Sequence, residues 1–308
     1  MRVLLGVDGS TPSILAQHLV AGMPWPRGTA VRAVSVVVPP VAILAASTPG
    51  LYISPDTLAE MENERIDHAH RVVQAADHAL KDRGLVVETA VLRGPAAREL
   101  TDDAITWSAD MIAVGSHGHG MLAGLLLGSV SAEIVDHAPC PVLIARRPTV
   151  TKVLVAVDGS TAAAQAVTLL ASWAVFSALP TTVVTVLSTL EPEGSASMPE
   201  VQSALDTARE RLASGLRAHA EGVAGSAADR LRAAGIPATS QVLEGKPAEQ
   251  IVAMAEQDAT DLIVVGTRGL TGLARLRLGS TARGVLHTAS VSVLVVPVHA
   301  VSSSEHRR

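Results

Sequence analysis

Short runs rich in Val, Leu and Ile alternate along the chain with longer stretches in which charged residues recur at helical spacing. An apolar run too short for a helix, with no polar face, marks a strand of a parallel sheet covered on both sides. In the first half this pattern predicts strands near 2–7, 29–38, 86–92, 110–115 and 141–145. Thr11-Pro12 reads as an N-cap followed by proline at the first helical position. Residues 56–83 predict a long charged helix, 95–107 another and 129–137 a short one. The second half repeats the order, with strands expected near 152–157, 181–188, 238–243, 261–265 and 293–297. Strands alternating with helices in this way predict an α/β fold with doubly wound sheets.

The repetition extends to the residues themselves. Val3-Leu4-Leu5-Gly6-Val7-Asp8-Gly9-Ser10-Thr11 returns 150 positions later as Val153-Leu154-Val155-Ala156-Val157-Asp158-Gly159-Ser160-Thr161. Asp110 to Gly118 (DMIAVGSHG) returns 151 positions later as Asp261 to Gly269 (DLIVVGTRG). A period of this size is a whole domain rather than a solenoid repeat. The expected organisation is a first domain over 1–147, a second over 151–298 and a flexible tail over 299–308. The connections Pro39 to Pro55 and Thr189 to Pro199 differ most between the copies. The first is apolar and open to two readings, a lid or an irregular surface loop.

Composition narrows the function classes. With 48% hydrophobic and 17% charged residues the chain is not a disordered one. Its apolar runs end well before the roughly 18 residues of a membrane helix, so no membrane association is expected. Asp8 interrupts the N-terminus before a signal-peptide apolar region is complete, and the lone Cys140 suits a reducing compartment, so a cytoplasmic location is expected. Net charge is -5 with no basic run, which argues against nucleic acid as a partner.

Candidate chemistry lies beyond the carboxyl ends of the strands, where doubly wound sheets bind ligands. Gly115-Ser116-His117-Gly118 is followed by nine residues and Gly128-Ser129; the second copy has Gly266-Thr267-Arg268-Gly269, nine residues and Gly279-Ser280. Glycines let backbone N–H groups approach an anion, and a helix N-terminus at Gly128-Ser129 would add its free N–H groups and dipole. A polyphosphate cradle is one reading. Glycines that only build tight turns are the other, and copies made by duplication share structural glycines in any case.

The combination of Gly-x-x-Gly, nine residues, Gly-Ser and an N-terminal strand ending in Asp-Gly-Ser resembles the universal stress protein family in both halves. Gly94-Pro95-Ala96, Gly245-Lys246-Pro247 and Pro139-Cys140-Pro141-Val142-Leu143 extend the likeness over nearly the whole chain. The resemblance implies tandem five-stranded parallel sheets in the order 3-2-1-4-5, flanked by helices, and the ATP-binding subgroup of the family. By position it implies adenine near Val36 and the main chain of Val7, with Asp8 at the ribose or at a phosphate bridged by a metal such as Mg²⁺. The phosphates would meet Gly115, His117, Gly118, Gly128, Ser129 and Ser131. The second copy offers Val186, Val157, Asp158, Gly266, Arg268, Gly269, Gly279 and Ser280. Two departures are Arg268 in place of His117 and Ala282 in place of Ser131.

Blander readings stand beside these. An acid before a helix, such as Asp8, is favoured by the dipole without any ligand. His117-x-His119 lacks the acids or cysteines of a metal site, His68 and His70 read as a solvated helix face, and Cys140 as buried and inert. Gly245-Lys246 is followed by Pro247, so no Walker loop is present, and no G-x-S-x-G elbow occurs. The expected function is therefore an ATP-binding stress regulator without catalytic residues, acting on an unidentified protein partner. A slow ATP-hydrolysing enzyme using the same sites is the alternative. The last strands of the two copies are expected to pair, because open edges are seldom tolerated, and a homodimer is expected from the resemblance. Arg268, Arg275 and Arg277 are expected to make the second site the tighter one.

Overall fold

A computed structural model describes residues 1–40, 54–118, 127–188, 199–267 and 278–298, with the side chains of 199–204 outside the description. Most of the connection from Pro39 to Pro55, nearly all of that from Thr189 to Pro199 and the tail over 299–308 lie outside these residues.

Two compact units emerge. The first comprises Met1–Val150 together with the chain from Ala289 onward. Its strands are β1 (Arg2–Gly6), β2 (Ala30–Val37), β3 (Val86–Arg93), β4 (Met111–Gly115), β5 (Val142–Ala145) and β10 (Ser292–Val296). They lie in the order β3-β2-β1-β4-β5-β10, parallel throughout except for β10. The second unit, Thr151–Thr288, holds β6 (Val153–Ala156), β7 (Thr181–Leu187), β8 (Ala238–Glu244) and β9 (Leu262–Gly266), in the order β8-β7-β6-β9, all parallel. The expected 3-2-1-4-5 order thus runs complete in the first copy, and the second unit repeats its first four places.

The helices of the first unit are α1 (Thr11–Gly22), α2 (Pro55–Lys81), α3 (Ala96–Thr106) and α4 (Ser129–His137); the second unit holds α5 (Thr161–Ser172), α6 (Pro199–Ala233), α7 (Pro247–Gln257) and α8 (Ser280–Thr288). Their apolar stripes explain their seats. On α2 the buried residues Ala69, Val73, Ala76 and Leu80 recur every three or four places and cover β2 and β3. The central strands β1 and β4 are apolar on both faces: Val3, Leu4, Leu5, Ile112 and Ala113 are fully buried. Between α5 and β7 a short 3₁₀ turn, Ala174–Phe176, buries Phe176 and stacks it on Trp173; the periodicity did not predict it.

One local expectation shifts. The cap of α1 is Ser10, whose Oγ accepts from Ser13 N at 3.4 Å, so Thr11 is already helical and Pro12 sits one place further in. Ser160 caps α5 in the same way, from Ala163 N at 3.2 Å. The last strand of the second copy, which clusters with the first unit, pairs with the last strand of the first copy, as expected. Its residues Val293, Leu294 and Val295 pair antiparallel with Ile144, Leu143 and Val142 of β5. Ser292, fully buried, accepts from the backbone N–H groups of both Arg146 and Arg147 at 3.1 Å. The edge of β5 is thereby closed, as edge strands require.

Cys140 is 7% exposed, and burial, with Asp110 nearby, pushes its thiol up to about 12. Thiolate-directed reagents at pH 8 are expected to leave it unmodified until the chain is unfolded in denaturant, when it reacts at once. Because the fold favours the neutral thiol, the linked stability is intact below the ordinary value of 9.0 and is lost as pH rises through about 12.

Candidate functional site

In the first unit β1 lies between β2 and β4. The chain leaves β1 towards β2 and leaves β4 towards β5, so the two connections diverge and open a crevice at the carboxyl ends. Asp8 stands just past β1 and Gly115 ends β4. The crevice brings together residues far apart in sequence: a Cβ on Gly118 would lie 2.6 Å from Asp8 Oδ2. The main chain of the β4 loop therefore runs directly against that carboxylate. The other oxygen, Asp8 Oδ1, accepts from Ser10 N at 2.9 Å and Ser10 Oγ at 2.6 Å, which ties that oxygen to its own turn. Asp8 N donates to Ser13 Oγ at 3.1 Å.

The excursion between the paired glycines is closed at its base. Gly128 N donates to Ser116 O at 2.7 Å, and Gly279 N donates to Thr267 O at 2.6 Å in the second copy. Gly128 then caps α4 in extended conformation, with no side-chain cap hydrogen bond among the described residues, and Ser129 is exposed beside it. An uncapped helix start and a glycine main chain thus face the same opening. His117 is half-buried, with Nδ1 3.0 Å from Ser116 Oγ.

Three of the implied residues have partners of their own within the protein. Ser131 is buried and its Oγ donates to Gly115 O at 2.8 Å, so its hydroxyl proton ties α4 to β4 instead of meeting a phosphate. Gly115 is required by close packing: an added Cβ would stand 2.6 Å from the carbonyl carbon of Pro12, and one on Gly266 would stand 2.7 Å from that of Ala162. These two glycines seat the helix that follows the first strand of each copy. Val7 N donates to Val34 O at 2.9 Å and Val157 N to Val184 O at 2.8 Å, which leaves those N–H groups to the sheet rather than to a base. Val36 and Val186 are half-buried near the ends of their strands. Gly118 is exposed, and its φ is not positive, so only proximity to Asp8 restricts a side chain there.

In the second copy Ser160 N donates to Asp158 Oδ1 at 2.9 Å, reproducing the Asp8 turn. Ser280 is exposed at the start of α8. Arg268, Gly269, Arg275 and Arg277, like His119, lie outside the described residues. Among the described residues no group of three His, Cys, Asp or Glu side chains could hold a metal ion.

Sequence reasoning passed over Gly9 and Gly159, whose φ of +80° and +81° make the Asp-Gly-Ser turn, a conformation that favours glycine. It also passed over His68. This residue is exposed as expected, yet its Nε2 would be 3.4 Å from a Cβ on Gly9, so it borders the site. A signal was present: of the exposed α2 positions from Asn63 to His78, only His68 keeps its residue in α6, as His219.

The model of the Universal stress protein family matches residues 1–146 and again 149–297. A universal stress protein of Mycolicibacterium smegmatis is 28% identical over 305 residues, covering 96% of each chain. Universal stress protein Rv2005c of Mycobacterium tuberculosis is 29% identical over 304 residues, covering 95% of this chain and 96% of its own. The crystal structure of a universal stress protein from Archaeoglobus fulgidus shares the fold, with a TM-score of 0.64 at 19% identity over 96% of this chain and 98% of that one. An α/β protein with a switch-point crevice repeated in tandem is thus defined. The chain belongs to the universal stress protein family, a family of the stress response.

The two kinds of glycine separate experimentally. Gly115→Ala and Gly266→Ala are each expected to cost about 1–3 kcal/mol in urea unfolding, because a helix backbone must move. Gly118→Ala should stay within about 0.5 kcal/mol of the parent, since the exposed main chain meets only a movable carboxylate.

Proposed function

We propose that this universal stress protein binds ATP, one molecule at the switch-point crevice of each copy, and that the nucleotide state governs its contacts with a protein partner. The observation that carries the reading is the approach of the Gly118 main chain to Asp8 beside the uncapped start of α4. Backbone N–H groups at a helix start suit phosphate, and a carboxylate at the opposite wall suits ribose hydroxyls. Adenine then lies by Val36 and Val186, recognised by apolar contact. Mg²⁺ fits only as a companion of the nucleotide. Asp8 and Asp158 supply one carboxylate per site, and phosphates and water supply the remaining ligands.

Regulation is favoured over hydrolysis. Phosphoryl transfer to water needs a group that orients the water and a charge clamp on the terminal phosphate. Among the described residues, neither Gly115–Gly118 nor Gly128–Ser131 contains an acid. The same reading takes the protein as cytoplasmic and homodimeric, and light scattering at micromolar concentration should give twice the chain mass of 31.7 kDa.

Calorimetric titration of the whole chain with ATP is expected to give two sites. Gly118→Val and Gly269→Val should each remove one while circular dichroism stays unchanged. ATP binding at full stoichiometry by a folded Gly118→Val protein would place the cradle elsewhere. Arg268, Arg275 and Arg277 favour the second copy, since charge-assisted bonds to phosphate contribute about 1.5–3 kcal/mol each. Ser131 does not offset them, because its hydroxyl proton goes to Gly115 O. The site left in Gly118→Val is therefore expected to be tighter, and more weakened by salt, than the site left in Gly269→Val.

A further inference from the structure

In the second unit a cavity of about 550 Å³ opens between α5 and α6, beside the Asp158-Gly159 turn. That volume lies within the range of small-molecule sites. Its walls are apolar and small, formed by Val157, Ala163, Val167 and Val223 among others. The polar groups at its rim include His219 and Arg230, and among the described residues no carboxylate lines it.

Comparison with the first copy shows how the space and the charge arise. Gly9 meets Val72 as Gly159 meets Val223, which fixes the correspondence of α2 with α6 at 151 positions. Ile14 is answered by Ala164, and Arg71 by Gly222, so two large side chains give way to small ones. Asp67 is answered by Ala218 and Ala79 by Arg230, so an acid is lost and a cation gained. Gly222 is inside a helix, where glycine is less favourable than alanine, yet a Cβ on it would meet nothing within 4 Å. Packing therefore does not require a glycine at this wall.

We propose that the second unit carries a site for an amphipathic monocarboxylate, with its apolar body between α5 and α6 and its head on Arg230. Arg230 Nη2 donates to Thr168 Oγ1 at 2.7 Å, which holds the guanidinium at the mouth and leaves further N–H donors for a carboxylate. Ser226 and His219 stand on the same rim. The site does not depend on the nucleotide reading.

The test is calorimetric titration of the full chain with octanoate, and with octylammonium as the cation of matched body. Saturable binding of octanoate alone is expected. Arg230→Gln should weaken it about tenfold or more, as loss of a charge-assisted bond does. Ala164→Ile, which restores the side chain of the first copy, should abolish it. Thermal melts confirm that each variant is folded, and Arg230→Gln, at an exposed position, serves if Ala164→Ile is not. Absence of saturable octanoate binding, equal binding of octylammonium, or wild-type affinity in folded Arg230→Gln would overturn the proposal. So would displacement of octanoate by ATP with an equal loss of ATP affinity in Arg230→Gln, since the groove would then belong to the nucleotide.

Discussion

The site depends on the close approach of main chain to main chain where β4 ends against the start of α1. Gly115 has no side chain, so Pro12 can sit where a Cβ would be, and α1 begins directly beside the last residue of β4. With the helix held there, the Asp8 turn and the loop leaving β4 come within contact of one another, and Gly118 reaches the Asp8 carboxylate. Ser131 completes the joint by donating to the carbonyl of that same Gly115 from the far side of the loop. A side chain at Gly115 would push these elements apart and open the crevice whatever the chemistry of its lining. The second copy obeys the same constraint through Gly266 and Ala162.

This arrangement explains how much of the fold was legible in the sequence. Parallel strands buried on both faces must be continuously apolar, so their places were visible to within a residue or two, as in Met111–Gly115 and Leu262–Gly266. The duplication was visible because both copies retain the turn and the loop. What the sequence could not assign was the partner of each small polar group. Ser10 and Thr11 are both competent caps, and the turn built by Asp8 and Gly9 selects Ser10. The hydroxyl of Ser131 is the right chemistry for phosphate, but the approach of α4 to β4 gives it a carbonyl.

The glycines were the hardest to interpret. Sequence shows that a side chain is missing and leaves its reason open among three: a positive φ, a close approach or a ligand. Gly9 is the first kind, with φ of +80°, Gly115 is the second, and Gly118 has only the flank of Asp8 to avoid. His68 shows the complementary limit. Exposure made it read as surface, and only the path of α2 over the Gly9 turn brings its ring to the site.

The proposed nucleotide binding at the first crevice rests on the Gly118 main chain and the start of α4 receiving the phosphates, with the Asp8 carboxylate on the opposite wall placed for the ribose. Backbone amide resonances recorded during an ATP titration test it most directly. The largest first-copy shifts are expected on Gly118, Ser129 and Val130, with smaller ones at Asp8 and Gly9. Shifts confined to other parts of the unit, with these amides unmoved at saturating ATP, would contradict this reading.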